Sequence, residues 1–100
     1  MPISNHPDIE IANRVIRAQL AGLNARVLLF GSRARGDAGT WSVIDVAVQA
    51  DPVLPPGVLA TLREALDQSN CLLNVDVVNW LDADALLRES ILREGIEWSA

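Results

Sequence analysis

The sequence contains no lysine, so all 8 of its basic residues are arginine. A P-loop, a Schiff-base enzyme and a lysine general base each depend on a lysine, and these three classes are therefore excluded. The chain has a single cysteine, Cys71. One cysteine excludes an internal disulfide and a metal site built from several cysteines.

Positive charge is also scarce. The chain has 13 acidic residues against those 8 arginines, which gives a formal net charge of −5, and it has no run of basic residues. A protein that binds a nucleic-acid polymer needs a positive face to neutralise the phosphate backbone. We therefore expect no nucleic-acid polymer among its partners.

Long apolar runs are missing as well. A run such as Val27 to Phe30 is far too short to cross a bilayer. The N-terminal residues show no basic region followed by an apolar stretch, so they do not resemble a signal peptide. These features predict a cytoplasmic protein with no membrane partner.

What is present is a well-patterned chain of 100 residues, half of them apolar. This length predicts a single domain over residues 1–100. The order of periodic segments is helix, strand, loop, strand, helix, strand, helix, which predicts a small α/β (α+β) domain with at least three strands. The expected strands cover residues 26–30, 43–48 and 74–78, and the expected helices begin near Pro7, Val58 and either Asp82 or Asp84.

A glycine-serine pair, Gly31 and Ser32, follows the first predicted strand. The backbone N–H groups and the hydroxyl of such a pair are available to a phosphate. Arg33 and Arg35 add planar guanidinium groups whose geometry suits phosphate oxygens. For a Gly-Ser pair alone, a solvated polar turn is the simpler interpretation. The segment between Gly31 and Trp41 is expected to be a loop with room for one helical turn.

Two aspartates interrupt apolar strands. Asp45 lies between Ile44 and Val46, and Asp76 lies in the third predicted strand. Because side chains alternate along a strand, Asp45 should face away from the core that its neighbours fill. Two strand aspartates over one sheet face would form a hard oxygen site suited to Mg²⁺. Alternatively, each aspartate pairs with a nearby arginine.

Taken together, these motifs resemble a known family. Gly31-Ser32 followed by Ser42-Val43-Ile44-Asp45-Val46 is similar to the nucleotidyltransferase signature, a Gly-Ser pair and then an Asp-x-Asp on the next strand. The six residues from Gly31 to Gly36 resemble minimal nucleotidyltransferases, the MNT domains often paired with HEPN proteins. The resemblance covers nearly the whole chain and implies a mixed sheet flanked by helices.

The resemblance also implies a reaction and its residues. It implies Mg²⁺-dependent transfer of a nucleoside monophosphate, expected to be AMP, from ATP or another triphosphate to a protein or small acceptor. By position, Asp45 and Asp76 would be catalytic metal ligands. The nucleotide-binding residues would be Gly31, Ser32, Arg33 and Arg35.

The sequence departs from this signature at Val43, which occupies the first aspartate position. Valine offers no lone pair, so one of three carboxylates is missing from the implied metal site. Loss of such a charge stabiliser costs about 10²–10³-fold in rate. Asp37 is a conceivable substitute, although it lies in the preceding loop.

Two functions therefore follow from the resemblance. One is an impaired nucleotidyltransferase, and the other is a catalytically weak, antitoxin-like module that pairs with a HEPN-type protein. The sequence leaves self-association into a homo-oligomer open.

Two C-terminal features have plain structural explanations. The charged residues between Arg88 and Glu94 fit a solvated helix face with i,i+4 ion pairs. Ile96 and Trp98 are placed either to cover a sheet edge or to meet a partner.

Overall fold

The fold was obtained as a computed structural model that describes residues 7–37, 39 and 43–98. The helices are α1 (Pro7–Gln19), α2 (Ser32–Arg35), α3 (Val58–Asp67) and α4 (Ala85–Glu94), with a 3₁₀ turn at Trp80–Asp82. The strands are β1 (Ala25–Phe30), β2 (Ile44–Ala50), β3 (Val75–Asn79) and β4 (Ile96–Glu97). The predicted α/β order is confirmed. The short helix α2 occupies the loop in which one helical turn was expected.

The strands form a single mixed sheet in the order β3-β2-β1-β4. Strand β1 pairs antiparallel with β2 and with β4, whereas β2 and β3 pair in parallel. Strand β4 was not predicted, because two residues are too few to show a period. It pairs with the outer edge of β1, and the backbone N–H of Trp98 donates to the Val27 carbonyl oxygen at 2.8 Å. Of the two roles considered for Ile96 and Trp98, covering a sheet edge is the one observed.

One face of the sheet carries the larger core. Alternate residues of β2, namely Ile44, Val46 and Val48, are fully buried there, as the alternation predicts. Helices α1 and α3 cover this face and pack against each other. Their buried side chains include Ile16 and Leu62. This packing fixes the orientation of β2, and with it the direction in which the intervening residues point.

The opposite face carries a smaller core beneath α4. It consists of Leu28, Phe30, Ala47 and Ile91. Asp45 lies two residues before Ala47 on β2, so the two side chains project from the same face of the sheet. A half-buried carboxylate therefore lies at the edge of an apolar cluster, close to the end of α4.

The helices are short. The longest, α1, has 13 residues and so extends about 20 Å. In the part of the chain that the structure describes, no helix has the length and apolar character needed to cross a bilayer. Of the two candidate caps for α4, Asp84 is the one that acts, because its Oδ1 accepts from the Leu87 N–H at 2.8 Å.

Asp8, in the first turn of α1, connects two distant parts of the chain. Its side chain is buried, and its Oδ2 accepts hydrogen bonds from the backbone N–H groups of Leu72 at 2.7 Å and Leu73 at 2.8 Å. These residues lie in the segment that leads into β3. Asp8 therefore helps to fix where β3 begins, and thus the register that places Asp76 beside β2.

We expect Asp8→Ala to lower the free energy of unfolding by about 2–4 kcal/mol, because it leaves two backbone donors without their charged acceptor. The measurement is urea denaturation at pH 7. Asp8→Asn, which retains one acceptor oxygen, should lose less. Glu10→Ala is the matched control, because its pair with Arg14 is exposed and 3.8 Å long. Equal losses for Asp8→Ala and Glu10→Ala would contradict this role.

Candidate functional site

Asp45 and Asp76 lie side by side on neighbouring strands. In the parallel pairing of β2 with β3, the two residues are direct partners in register. Their side chains therefore project from the same face of the sheet. Asp45 is half-buried and Asp76 is exposed. The structure thus brings together the two carboxylates that the sequence placed on separate strands.

The surroundings of Asp45 disfavour its charged form. Burial raises the pKa of the Asp45 carboxyl above its ordinary value, and the negative charges of Asp76 and Glu94 raise it further. The Arg35 guanidinium partly offsets this, since its positive charge lowers the same pKa. A cation bound between the carboxylates would relieve the repulsion.

The alternative of arginine pairing is not observed. Within the described ranges, neither Asp45 nor Asp76 forms a salt bridge. Two carboxylates on one face form a donor set that fits a single Mg²⁺, which often takes one or two protein carboxylates and completes its shell with water and phosphate oxygens. No group of three or more histidine, cysteine or acidic side chains is arranged to hold a metal ion among the described residues.

Gly31 packs directly against Asp45. Its φ of 75° lies in the left-handed region, and a Cβ at this position would lie 2.5 Å from the Asp45 Oδ2. The left-handed backbone favours glycine, and any added Cβ would force the Asp45 carboxylate to shift. The loop can approach the carboxylate this closely only because residue 31 has no side chain.

The other residues of the glycine loop, which we define as Gly31–Asp37, differ in their exposure. Ser32 begins α2 and is partly exposed, whereas Arg33 is only 3% exposed. Arg35 is on the surface, where its Nε donates to Asp37 Oδ2 at 3.1 Å. Arg35 is therefore the arginine that the structure presents next to Asp45, and the contact of Arg33 with a triphosphate stays a prediction.

Glu94, at the end of α4, was not singled out by the sequence. Its Oε1 accepts from the Gly31 N–H and from the Arg35 Nη1, each at 3.2 Å. The interpretation of this helix as a solvated face holds for Glu89 and Arg93, which form an exposed i,i+4 pair at 3.4 Å. It fails for Glu94. A sequence signal for this contact did exist. An acidic side chain at a helix C-terminus is destabilised by the helix dipole, which suggests that it has a compensating partner on another element.

Val43 lies one residue before β2 and is 40% exposed. Together with Asp76 it lines a surface cavity of about 650 Å³ that extends toward α3. The side chain at position 43 is therefore accessible from the same cavity as one of the carboxylates. Asp37 is bound to Arg35, and Ser42 lies outside the described residues.

A family model matches most of the chain. The family model described as polymerase beta nucleotidyltransferase matches residues 24–97, which include both aspartates and the glycine loop. No curated protein matches the chain significantly.

Solved structures agree with this match. A minimal nucleotidyltransferase is similar to this chain at 30% identity and a TM-score of 0.70, with coverage of 93% of this chain and 98% of the other. A toxin–antitoxin structure with AMP-PNP matches at 26% identity and a TM-score of 0.70, covering 97% and 75%. A Shewanella oneidensis complex of tri-AMPylated HEPN toxin with MNT antitoxin has the same fold, at 24% identity, a TM-score of 0.63 and coverage of 93% and 73%.

We expect Gly31→Ala to weaken the binding of Mg²⁺ to the proposed Asp45–Asp76 site, because the added methyl group must displace the Asp45 Oδ2. Isothermal titration with MgCl₂ measures this. Gly22→Ala is the matched control, since Gly22 also has a positive φ, of 83°, but its Cβ would meet nothing within 4 Å. Both variants should lose about 1 kcal/mol of stability from backbone strain. If Gly31→Ala bound Mg²⁺ as tightly as Gly22→Ala does, the missing side chain at residue 31 would not be what keeps the Asp45 carboxylate in place for the cation.

Asp45→Asn should raise the melting temperature of the metal-free protein at pH 7. A carboxyl whose pKa is raised in the folded state destabilises the fold when ionised, so wild-type stability should increase as the pH falls through that pKa. In the variant this pH dependence should weaken, and the stabilisation by added Mg²⁺ should disappear.

Thermal unfolding from pH 4 to pH 8, with and without Mg²⁺, provides the measurement. Asp51→Asn, at an exposed position outside this cluster, serves as the control. A lower melting temperature for metal-free Asp45→Asn would contradict the proposed repulsion.

Proposed function

The chain belongs to the polymerase beta nucleotidyltransferase family, and we propose that it binds a nucleoside triphosphate with Mg²⁺ and transfers the nucleoside monophosphate to a protein or small acceptor. The observation that carries the proposal is the adjacent pair Asp45 and Asp76, with Gly31 packed against the first carboxylate. ATP is the proposed donor, in keeping with the AMP-PNP in the toxin–antitoxin structure that matches at 26% identity.

The residues divide into two groups. Asp45 and Asp76 would hold Mg²⁺, which supplies positive charge to the phosphate oxygens and to the leaving pyrophosphate. Ser32 would receive the triphosphate through its backbone N–H and hydroxyl, and Gly31, whose own N–H donates to Glu94, would let the phosphates approach closely because it has no side chain. Arg35 would stabilise the negative charge from the side of α2, and Arg33 has the same proposed role from a buried position.

Charge makes the cation necessary for nucleotide binding. Arg35 lies between Asp37 and Glu94 and within electrostatic reach of Asp45, so its positive charge is already shared among several carboxylates. A triphosphate carries further negative charge into this region. We therefore propose that nucleotide affinity depends strongly on the divalent cation, because the protein alone cannot neutralise the phosphates.

The second candidate function is a binding module with weak or no catalysis, which pairs with a HEPN-type protein as an antitoxin does. Two observations favour it. Val43 replaces a carboxylate in the signature, and it lines the cavity beside Asp76. The chain also matches a structure of a toxin–antitoxin at 26% identity. In this case the fold and the cation site would be retained, with nucleotide transfer reduced by about 10²–10³-fold or more.

Val43→Asp distinguishes the two candidates. We expect the variant to bind Mg²⁺ about tenfold more tightly, because a third carboxylate would face the same cation. Calorimetry with MgCl₂, and with Mg²⁺ and ATP together, measures the affinity, and release of pyrophosphate in the presence of a candidate acceptor measures transfer. Val53→Asp is the matched control, since Val53 is also exposed, at 52%, but does not line this cavity.

An active wild type that Val43→Asp changes only modestly supports the enzyme. An inactive wild type that binds Mg²⁺ and ATP, together with tighter Mg²⁺ binding by Val43→Asp, supports the binding module. Unchanged Mg²⁺ affinity in Val43→Asp would mean that residue 43 does not face the cation, and the proposed site would be wrong.

A further inference from the structure

Glu94 makes a contact that neither the family match nor the signature assigns. It is the last residue of α4, and its side chain is only 17% exposed. A single oxygen, Oε1, accepts from the Gly31 N–H and from the Arg35 Nη1, each at 3.2 Å. One carboxylate thus joins the end of α4 to both ends of α2.

The contacts of Glu94 offset the unfavourable placement of a carboxylate at a helix C-terminus. The C-terminal end of a helix carries partial negative charge, so a carboxylate there is destabilising by itself. Glu94 also adds to the negative charge that raises the pKa of Asp45. Glu89, five residues earlier, has an exposed partner on its own helix and contacts no other element of the described residues through its carboxylate. Glu94 instead contacts the glycine loop, where its two hydrogen bonds are charge-assisted.

The contact holds the same residue, Gly31, that packs against Asp45. The position of the missing Cβ faces the Asp45 carboxylate, and the N–H of the same residue is bound by Glu94. Within the described residues, the Gly31 N–H has no other acceptor. Arg35, which influences Asp45 electrostatically, is held by the same oxygen. The spacing between the loop and the Asp45 carboxylate therefore depends on Glu94.

We propose that Glu94 is a positioning residue for the nucleotide site, holding Gly31 and Arg35 in the arrangement that receives the triphosphate. The part that concerns the triphosphate rests on the proposed function, whereas the part that concerns the loop does not. Glu94 acts through Gly31 and Arg35 and is not itself a ligand of the cation.

The opposite role, competition with the phosphates for the same donors, makes a different prediction. A competitor would leave the donors in place when removed, and its loss would strengthen nucleotide binding. The structure favours positioning because no other described group holds the Gly31 N–H. Removal of the carboxylate should therefore release the loop as well as the donors.

The test uses Glu94→Ala and Glu94→Gln in the full chain, with Glu89→Ala as the matched control on the same helix. Hydrogen exchange of the Gly31 amide, followed by NMR without nucleotide, reports on the loop. Calorimetry with Mg²⁺ and ATP reports on the site. We expect Glu94→Ala to accelerate Gly31 exchange and to weaken ATP binding, each by about tenfold, the loss corresponding to one charge-assisted hydrogen bond.

Glu94→Gln should restore most of both properties, because its amide oxygen accepts the same hydrogen bonds without the charge. Glu89→Ala should change neither. The inference is overturned if Glu94→Ala binds ATP as tightly as wild type or more tightly, if Gly31 exchange is unchanged, or if glutamine fails to restore the loop. If wild type binds no ATP with Mg²⁺, the proposed function fails, and the exchange measurements alone decide whether Glu94 holds the loop.

Discussion

The close approach of Gly31 to Asp45 is the constraint on which the site depends. A half-buried carboxylate needs either a positive partner or a cation, and the residue that packs against it offers neither. The Asp45 carboxylate keeps its position because residue 31 has no side chain to displace it. Because the β2–β3 register places Asp76 alongside, a second negative charge is added where the first is already disfavoured. The fold thus maintains a local repulsion that a divalent cation would relieve.

The elements that maintain this repulsion are remote from it. The larger core under α1 and α3 orients β2, and Asp8 fixes the segment that leads into β3. On the opposite face, the smaller core under α4 brings Glu94 to the glycine loop. Both aspartates are therefore placed by packing on the larger-core side of the sheet, whereas Glu94 is placed by the smaller core on the opposite side. A charged pair that would separate in an open chain is kept together by apolar burial.

Sequence patterns predicted the parts of this arrangement that depend on local order. The alternation in β2 placed Asp45 opposite Ile44 and Val46, and the Gly-Ser pair marked the loop, because strand period and turn chemistry are local properties. The register between Asp45 and Asp76, by contrast, is a relation between strands with a helix between them. The contact of Glu94 with Gly31 spans 63 residues, and a pattern confined to α4 shows only an ordinary charged helix. Long-range pairing was therefore the part that the sequence left open.

The replacement of a carboxylate by Val43 changes the balance of charge more than the shape of the site. A third carboxylate would bind a cation more tightly, but it would also add to the repulsion that already raises the pKa of Asp45. With valine, a cation at the proposed site would be shared by two protein carboxylates, so the phosphates of the nucleotide would have to supply more of its ligands. Cation and nucleotide are then expected to bind interdependently, each providing charge that the other needs. Such coupling would suit the proposed recognition of a metal–nucleotide complex, whether or not transfer is completed.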